Sequence, residues 1–185
     1  MAVKTLPTTA APAASRAPRF RLPRPARRLL LTLHVGIGVG WIGLEAGVLT
    51  LLLTALNTGD TELARAAMLA VGAVADPLLV PTAVLTFATG VVLSLGTQWG
   101  LVRYYWVAVK LVLSTALLFG SSLAINPRIQ RVAAEVAAAG PEVMPVSDAV
   151  LVSMAGATVV PGLLVIAATA LSVYKPWGRT PLGRR

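Results

Sequence analysis

The 185-residue chain contains no cysteine and one histidine, His34, and only 12% of its residues are charged. Without cysteine it forms no disulfide, thiolate-bound zinc site, iron–sulfur cluster or cysteine nucleophile. With one histidine it holds no site that needs two imidazoles from the same chain. The charged fraction is about half that of an average soluble domain. These scarcities exclude an ordinary soluble enzyme.

Apolar residues are abundant: they make up 56% of the chain, and its mean hydropathy is +0.78. Four apolar stretches each reach the roughly 17–25 residues that cross a hydrocarbon core as an α-helix. The sequence therefore predicts an all-α fold, a four-transmembrane-helix bundle filling residues 27–175. The predicted spans lie at about residues 29–56, 78–95, 104–125 and 149–173.

The boundaries of the two middle spans rest on prolines. Asp76 before Pro77 is typical of an N-cap followed by a first-turn proline, so the second span is predicted to begin there. Asn126-Pro127 is predicted to end the third span. Two interpretations of Leu63–Ala75 stay open. It is either a short surface helix or an early part of the second span, which would then bend at its prolines.

Positive charge is concentrated at one end of the predicted bundle. Of sixteen Lys and Arg residues, only Arg65, Arg128 and Arg131 fall at the other end. The positive-inside rule therefore predicts a multi-pass plasma-membrane protein with both termini in the cytoplasm. Residues 1–26 are predicted to be a disordered basic tail, because they cannot bury enough apolar surface, and residues 176–185 a second basic tail. The tails lack the pattern of a nucleic-acid-binding domain, so the lipid bilayer is the expected partner.

Polar residues recur at helical spacing on one face of the first and third spans. The stripes consist of His34, Trp41 and Glu45 on the first span and Lys110, Ser114 and Ser121 on the third. If the two faces meet, they form a polar seam in which His34 lies at the depth of Lys110. Glu45 is the strongest site candidate, because a carboxylate inside a membrane is costly and usually marks a pathway. The alternatives are interhelical hydrogen bonding for Glu45 and His34, interfacial snorkelling for Lys110, and core filling for Trp41.

Glycines form a second stripe on the first span, about 200° away from the polar face. A stripe of this spacing lets another helix backbone approach closely, so it is predicted to be a helix-packing face. We therefore expect the first helix to lie centrally, with little lipid contact. The stripe consists of Gly36, Gly40, Gly43 and Gly47.

Two short segments carry a family resemblance. Leu33-His34 through Trp41-Ile42-Gly43 resembles the first-helix pattern L-H-(x)6-W-x-G of the CopD-like superfamily, which includes the copper-resistance CopD membrane domain and HemJ-type protoporphyrinogen oxidases. Trp106 through Lys110-Leu111 resembles the third-helix pattern W-x-x-x-K-L, and the ending Ser172–Arg179 resembles an actinobacterial branch of integral membrane proteins. The resemblance implies that His34 matches a proposed haem ligand. Ala108 stands where the HemJ pattern has a second histidine, so bis-histidine haem ligation within one chain is excluded.

Three functions remain open from the sequence. The first is a non-enzymatic, permease-like component for a small solute, a proton or a metal, using the polar seam. The second is a haem- or quinone-linked oxidoreductase of HemJ type, for which His34 is the candidate metal ligand, although a lone imidazole is a weak metal signal. The third is a structural subunit that binds a second copy of the chain or another membrane protein.

Overall fold

The computed structural model describes residues 21–184, and within them the chain is helical without strands. Four helices are long and apolar enough to cross a membrane, which confirms the predicted fold class and the multi-pass membrane assignment at that level. Most of the predicted N-terminal tail, residues 1–20, lies outside the described residues. The helices are α1 (Arg24–Asn57), α2 (Thr61–Leu95), α3 (Tyr105–Phe119), a π-helical segment (Gly120–Ile125), α4 (Asn126–Ala138), α5 (Asp148–Tyr174) and the short α6 (Pro181–Arg184).

Helix α1 begins earlier than predicted. It starts at Arg24 rather than near residue 29, with Pro25 in its first turn. Proline suits this position because its ring presets the helical φ angle and the first N–H groups have no partner within the helix.

Helix α2 is one continuous helix of 35 residues. Its N-cap is Asp60, whose Oδ1 accepts hydrogen bonds from the backbone N–H of Glu62 at 2.9 Å and of Leu63 at 3.3 Å. The prediction that Asp76 caps this helix is therefore wrong. Of the two interpretations of Leu63–Ala75, the early start of the second span holds. At 1.5 Å per residue the helix is about 52 Å long, so it exceeds a hydrocarbon core of roughly 30 Å.

The third span also continues past its predicted end, because α3 runs through the π-helical segment into α4. The N–H of Asn126 donates to the carbonyl of Ser121, five residues earlier. Pro127 lacks an N–H, and in an α-helix its ring clashes with the carbonyl four residues before it. The wider turn accommodates the proline, so Asn126-Pro127 shifts the helix without ending it.

The four long helices form a ring. Helices α1 and α3 each pack beside both α2 and α5, so α1 and α3 face each other across the diagonal. We call the end where α1 begins and α5 ends the termini end, and the opposite end the far end. A large hydrophobic core at the far end joins α1, α2, α4 and α5. A smaller cluster surrounds Trp41 in the middle of the bundle.

The residues after α5 fold back onto the loop between α2 and α3. Thr180 donates from its N–H to the carbonyl of Arg103 at 2.9 Å and from its hydroxyl to that of Val102 at 2.6 Å. The N–H of Tyr105 donates to the carbonyl of Gly178 at 3.4 Å. Residues 176–184 were predicted as part of a basic tail. They are instead attached to the bundle, and we call residues 175–184 the C-terminal strap.

Candidate polar site in the bundle interior

A polar layer near the termini end takes one side chain from each of the four long helices. Nδ1 of His34 lies 2.8 Å from the hydroxyl of Thr89 in α2. Lys110 in α3 donates to the hydroxyl of Ser172 in α5. The polar layer therefore joins α1 to α2 and α3 to α5.

The hydrogen bonds assign the proton on the His34 ring. A hydroxyl has one hydrogen to donate, and the Thr89 hydroxyl lies 2.6 Å from the carbonyl of Leu85. The short contact to Leu85 favours donation from Thr89 to that carbonyl, and with this arrangement Nδ1 of His34 donates to Thr89. The neutral ring then has its lone pair on Nε2, which is the nitrogen left to accept a proton.

The imidazole lies directly against the backbone of α2. A Cβ at Gly90 would be 3.1 Å from Cε1 of His34, so a side chain at this position would have to displace the ring by a few tenths of an ångström. Beside it, the buried hydroxyl oxygen of Thr86 has no hydrogen-bond partner among the described residues. Sequence reasoning missed Gly90 and Ser172. The recurrence of Thr82, Thr86 and Thr89 on one face of the second span does predict that this helix contributes to the polar seam.

Lys110 has no acidic neighbour in its surroundings. The chain contains no Asp or Glu in residues 77–134 or 149–185, which include the α3 and α5 spans. Besides Ser172, the ammonium lies 6.0 Å from the centre of the Trp106 ring. The polar layer thus contains a lysine and no carboxylate.

Trp41 closes the centre of the bundle above this layer. It is 2% exposed and packs with one residue from each of the other three long helices: Ala83, Leu117 and Val165. Its indole N–H donates to Oε1 of Glu45 at 2.9 Å. Trp41 therefore separates the His34 layer from Glu45 and at the same time holds the carboxyl group.

Glu45 lies inside the bundle, 7% exposed, on the other side of Trp41. The Trp41 indole is its hydrogen-bond donor among the described residues. Helix α5 faces it with Gly162, where an added Cβ would lie 3.9 Å from the Cβ of Glu45. The missing side chain at Gly162 leaves the carboxyl group in a space bordered by backbone.

The third-helix candidates occupy different positions along the interior. Trp41 and Leu117 share a cluster, and Glu45 and Ser121 lie one helical turn beyond each of them. Ser121 is 2% exposed, and its hydroxyl has no partner among the described residues. Ser114 is half-buried, one turn from Lys110. However, the polar bonds of α1 and α3 go to α2 and α5, because the two helices are diagonal and their polar faces do not pair directly.

The helix-packing interpretation of the α1 glycines does not hold within this chain. All four are exposed, and a Cβ added at any of them would meet no atom within 4 Å. The polar face of α1 turns inward, so the opposite face turns outward. The close approach of helices occurs instead at Gly72, where a Cβ would lie 2.5 Å from that of Ala133. The four outward-facing glycines of α1 are Gly36, Gly40, Gly43 and Gly47.

His34 is the single imidazole available as a ligand in this chain. The described residues contain no group of three or more His, Cys, Asp or Glu side chains that could hold a metal ion. His34 contributes a single imidazole, with Nδ1 engaged by Thr89 and its ring against Gly90. Comparison with protein-family models, curated proteins and solved structures finds no match to this chain.

Proposed function

We propose that this chain is a permease-like membrane component that moves protons through the interior of its helix bundle. The observation that carries the proposal is Glu45, a carboxyl group buried in the middle of a four-helix membrane bundle with one hydrogen-bond donor. Ionisable groups at such depth are costly and typically belong to proton or ion pathways. The resemblance to the CopD-like superfamily and the plasma-membrane location remain predictions.

In this mechanism Glu45 and His34 are the two proton-carrying groups, and Trp41 lies between them. His34 takes up a proton at Nε2 while Thr89 keeps Nδ1 in place. Glu45 lies eleven residues further along α1, about 16 Å at 1.5 Å per residue. A proton crosses that distance only when Trp41 moves aside or water enters, so Trp41 is the gate. The positive charge of Lys110 limits entry of other cations beside His34.

Proton flux into liposomes tests this function. The purified protein is reconstituted with an entrapped pH-sensitive dye, and a potassium diffusion potential drives protons inward. We expect Glu45→Gln to lower the flux at least tenfold while preserving the fold, since glutamine keeps the shape and hydrogen-bonding capacity but does not titrate. Glu135→Gln, on the exposed face of α4, is the matched control and should leave the flux unchanged.

Two results would contradict the proposal. One is wild-type flux no higher than that of protein-free liposomes. The other is equal flux in the Glu45→Gln and wild-type proteins. Normal folding with no flux in any variant would favour the structural-subunit alternative, in which the Trp41–Glu45 hydrogen bond serves only to pack α1.

The proposal includes the orientation predicted from charge, with both termini in the cytoplasm. Its support is the concentration of Lys and Arg at the termini end. Reporters fused after Gly59 and Gly140 should be located outside the cytoplasm, and reporters fused after Gly100 and Arg185 should be located in the cytoplasm. The reverse pattern would place the polar layer of His34 on the outer side.

A further inference from the structure

A cavity of about 440 Å³ lies at the termini end, between the start of α3 and the C-terminal strap. Its size falls in the roughly 300–1,000 Å³ range of small-molecule sites. It is separate from the polar layer, and nothing in the proposed proton pathway uses it. The residues that line it are Tyr105, Val109, Trp177, Gly178, Arg179 and Arg184.

The wall formed by the strap is held in an unusual backbone conformation. Lys175 and Trp177 have φ angles of 45° and 64°, in the left-handed region that residues other than glycine rarely adopt. Such a conformation persists when surrounding bonds hold it, here those of Gly178 and Thr180 to the start of α3 and the preceding loop. The bonds of the strap therefore hold the backbone of Trp177 and Arg179 in place beside the cavity.

Two arginines stand at the rim of the cavity, and its walls carry no carboxylate. Nε of Arg179 donates to the hydroxyl of Tyr104 at 3.2 Å, and its guanidinium carbon lies 5.8 Å from the centre of that ring. Arg184 is exposed at the end of α6. No Asp or Glu occurs in residues 77–134 or 149–185, so neither wall supplies one. Guanidinium groups in this situation match the forked geometry of phosphate oxygens.

The other side of the cavity is apolar and faces the lipid region. Val109 lies one turn inside the α3 span and is 36% exposed, and Tyr105 and Trp177 are also exposed. Tyrosine and tryptophan are enriched where a membrane meets water, because their rings suit the headgroup level. A free anion would use the arginines but would leave this apolar surface bare, whereas a phospholipid would cover both.

We infer that this cavity binds the phosphate headgroup of an anionic phospholipid. The phosphate lies between Arg179 and Arg184, the glycerol backbone against Tyr105 and Trp177, and the first part of an acyl chain along Val109. Basic pockets at the ends of membrane helices recognise anionic lipids in this manner. The lipid site is inferred from the cavity alone, and it does not depend on proton transport by the bundle.

Native mass spectrometry of the detergent-purified full chain tests the site, with phosphatidylglycerol and phosphatidylcholine as probes. We expect wild-type protein to retain phosphatidylglycerol at least fivefold more than phosphatidylcholine. Arg179→Gln/Arg184→Gln should abolish this preference. The matched control is Arg27→Gln/Arg28→Gln, which removes the same charge from exposed positions on α1 at the same end, and it should keep the preference.

Three results would overturn the inference. They are equal retention of both lipids by the wild type, equal loss of preference in both double variants, and displacement of phosphatidylglycerol by millimolar inorganic phosphate. The last would identify a site for free phosphate. The single variant Arg184→Gln separates loss of binding from misfolding, because no hydrogen bond of the described fold uses the Arg184 side chain. It should lower the preference by at least half while the helical circular dichroism stays unchanged.

Discussion

Gly72→Ala and Gly40→Ala should change stability in opposite directions, although both replace a glycine inside a long membrane helix. Gly72 faces α4, and an added methyl group would lie 2.5 Å from the Cβ of Ala133. Gly40 faces outward, and an added methyl group would meet nothing within 4 Å. The pair therefore tests which faces of α1 and α2 are inside the bundle.

The expected magnitudes follow from two terms. Alanine in a helix interior is favoured over glycine by about 1 kcal/mol, and this gain applies at both positions. At Gly72 the contact is more than 1 Å shorter than the optimal carbon–carbon separation of roughly 3.5–4.0 Å, and overpacking of this kind costs about 1–3 kcal/mol. The shift also strains the bond from Nε2 of Gln130 to the Gly72 carbonyl, which is 3.0 Å long. We expect Gly40→Ala to be about 2 kcal/mol more stable than Gly72→Ala.

Thermal unfolding in detergent, followed by circular dichroism, measures this difference. For a chain of this size, 1 kcal/mol corresponds to a shift in Tm of about 2–4 °C, so the two variants should differ by about 4–8 °C. Gly156→Ala is the control for the propensity term, because its added methyl group also meets nothing within 4 Å. The reasoning fails if Gly72→Ala unfolds at or above the temperature of Gly40→Ala. It also fails if Gly40→Ala is less stable than the wild type.

Substitutions at three further positions probe the interior and the far end. Ser121→Ala should raise the free energy of unfolding by up to about 1 kcal/mol, because it removes a buried hydroxyl without a partner; a loss of stability would reveal a hydrogen bond in solution. Trp41→Ala should cost about 3–5 kcal/mol through the void it leaves, and Trp41→Phe much less; equal losses would mean that the indole N–H, not packing, holds the site. Arg65 donates to the carbonyls of Val143 at 2.7 Å and Ala139 at 3.1 Å, so Arg65→Ala should speed cleavage after Glu142 by a glutamate-specific protease. An unchanged cleavage rate would show that the α4–α5 loop is held by other contacts.

Hydropathy predicts the membrane helices well, but it does not predict where they end. Asp60 and Asp76 are both acceptable N-caps by residue type, and Asp76 has the more suggestive proline beside it. The helix begins directly after Asp60 because the residues between Asp60 and Asp76 bury an apolar stripe that includes Ala64, Met68 and Val71. The sequence shows the spacing of that stripe, but the burial of the stripe depends on α4. The prediction that Asn126-Pro127 ends the third span left no α4 to cover it.

The interior face of α1 is predictable from periodicity, whereas its partners are not. His34, Trp41 and Glu45 share one face and all turn inward, as their spacing predicts. A four-helix ring gives each helix two neighbours and one outward face, so α1 could not pack on its glycine face as well. That His34 meets Thr89 and not α3 depends on the order of helices around the ring. This order depends on how the loops connect the helices and on how the core packs. Residue types along one sequence do not reveal it.

The π-helical segment fixes the rotational phase of everything that follows it in the same helix. Leu117 of α3 and Ser121 of the π-helical segment are buried at α-helical spacing, and the next buried position, Asn126 of α4, comes five residues later. One residue has in effect been inserted into the helix. If Gly120–Ile125 formed a regular α-helix without losing a residue, α4 would be turned by about 100°, and Ile129 and Val136 would be carried away from α2. Deleting one residue from the segment would remove the extra residue and leave α4 in its packed orientation. The wider turn therefore sets which face the far-end half of this helix turns toward α2.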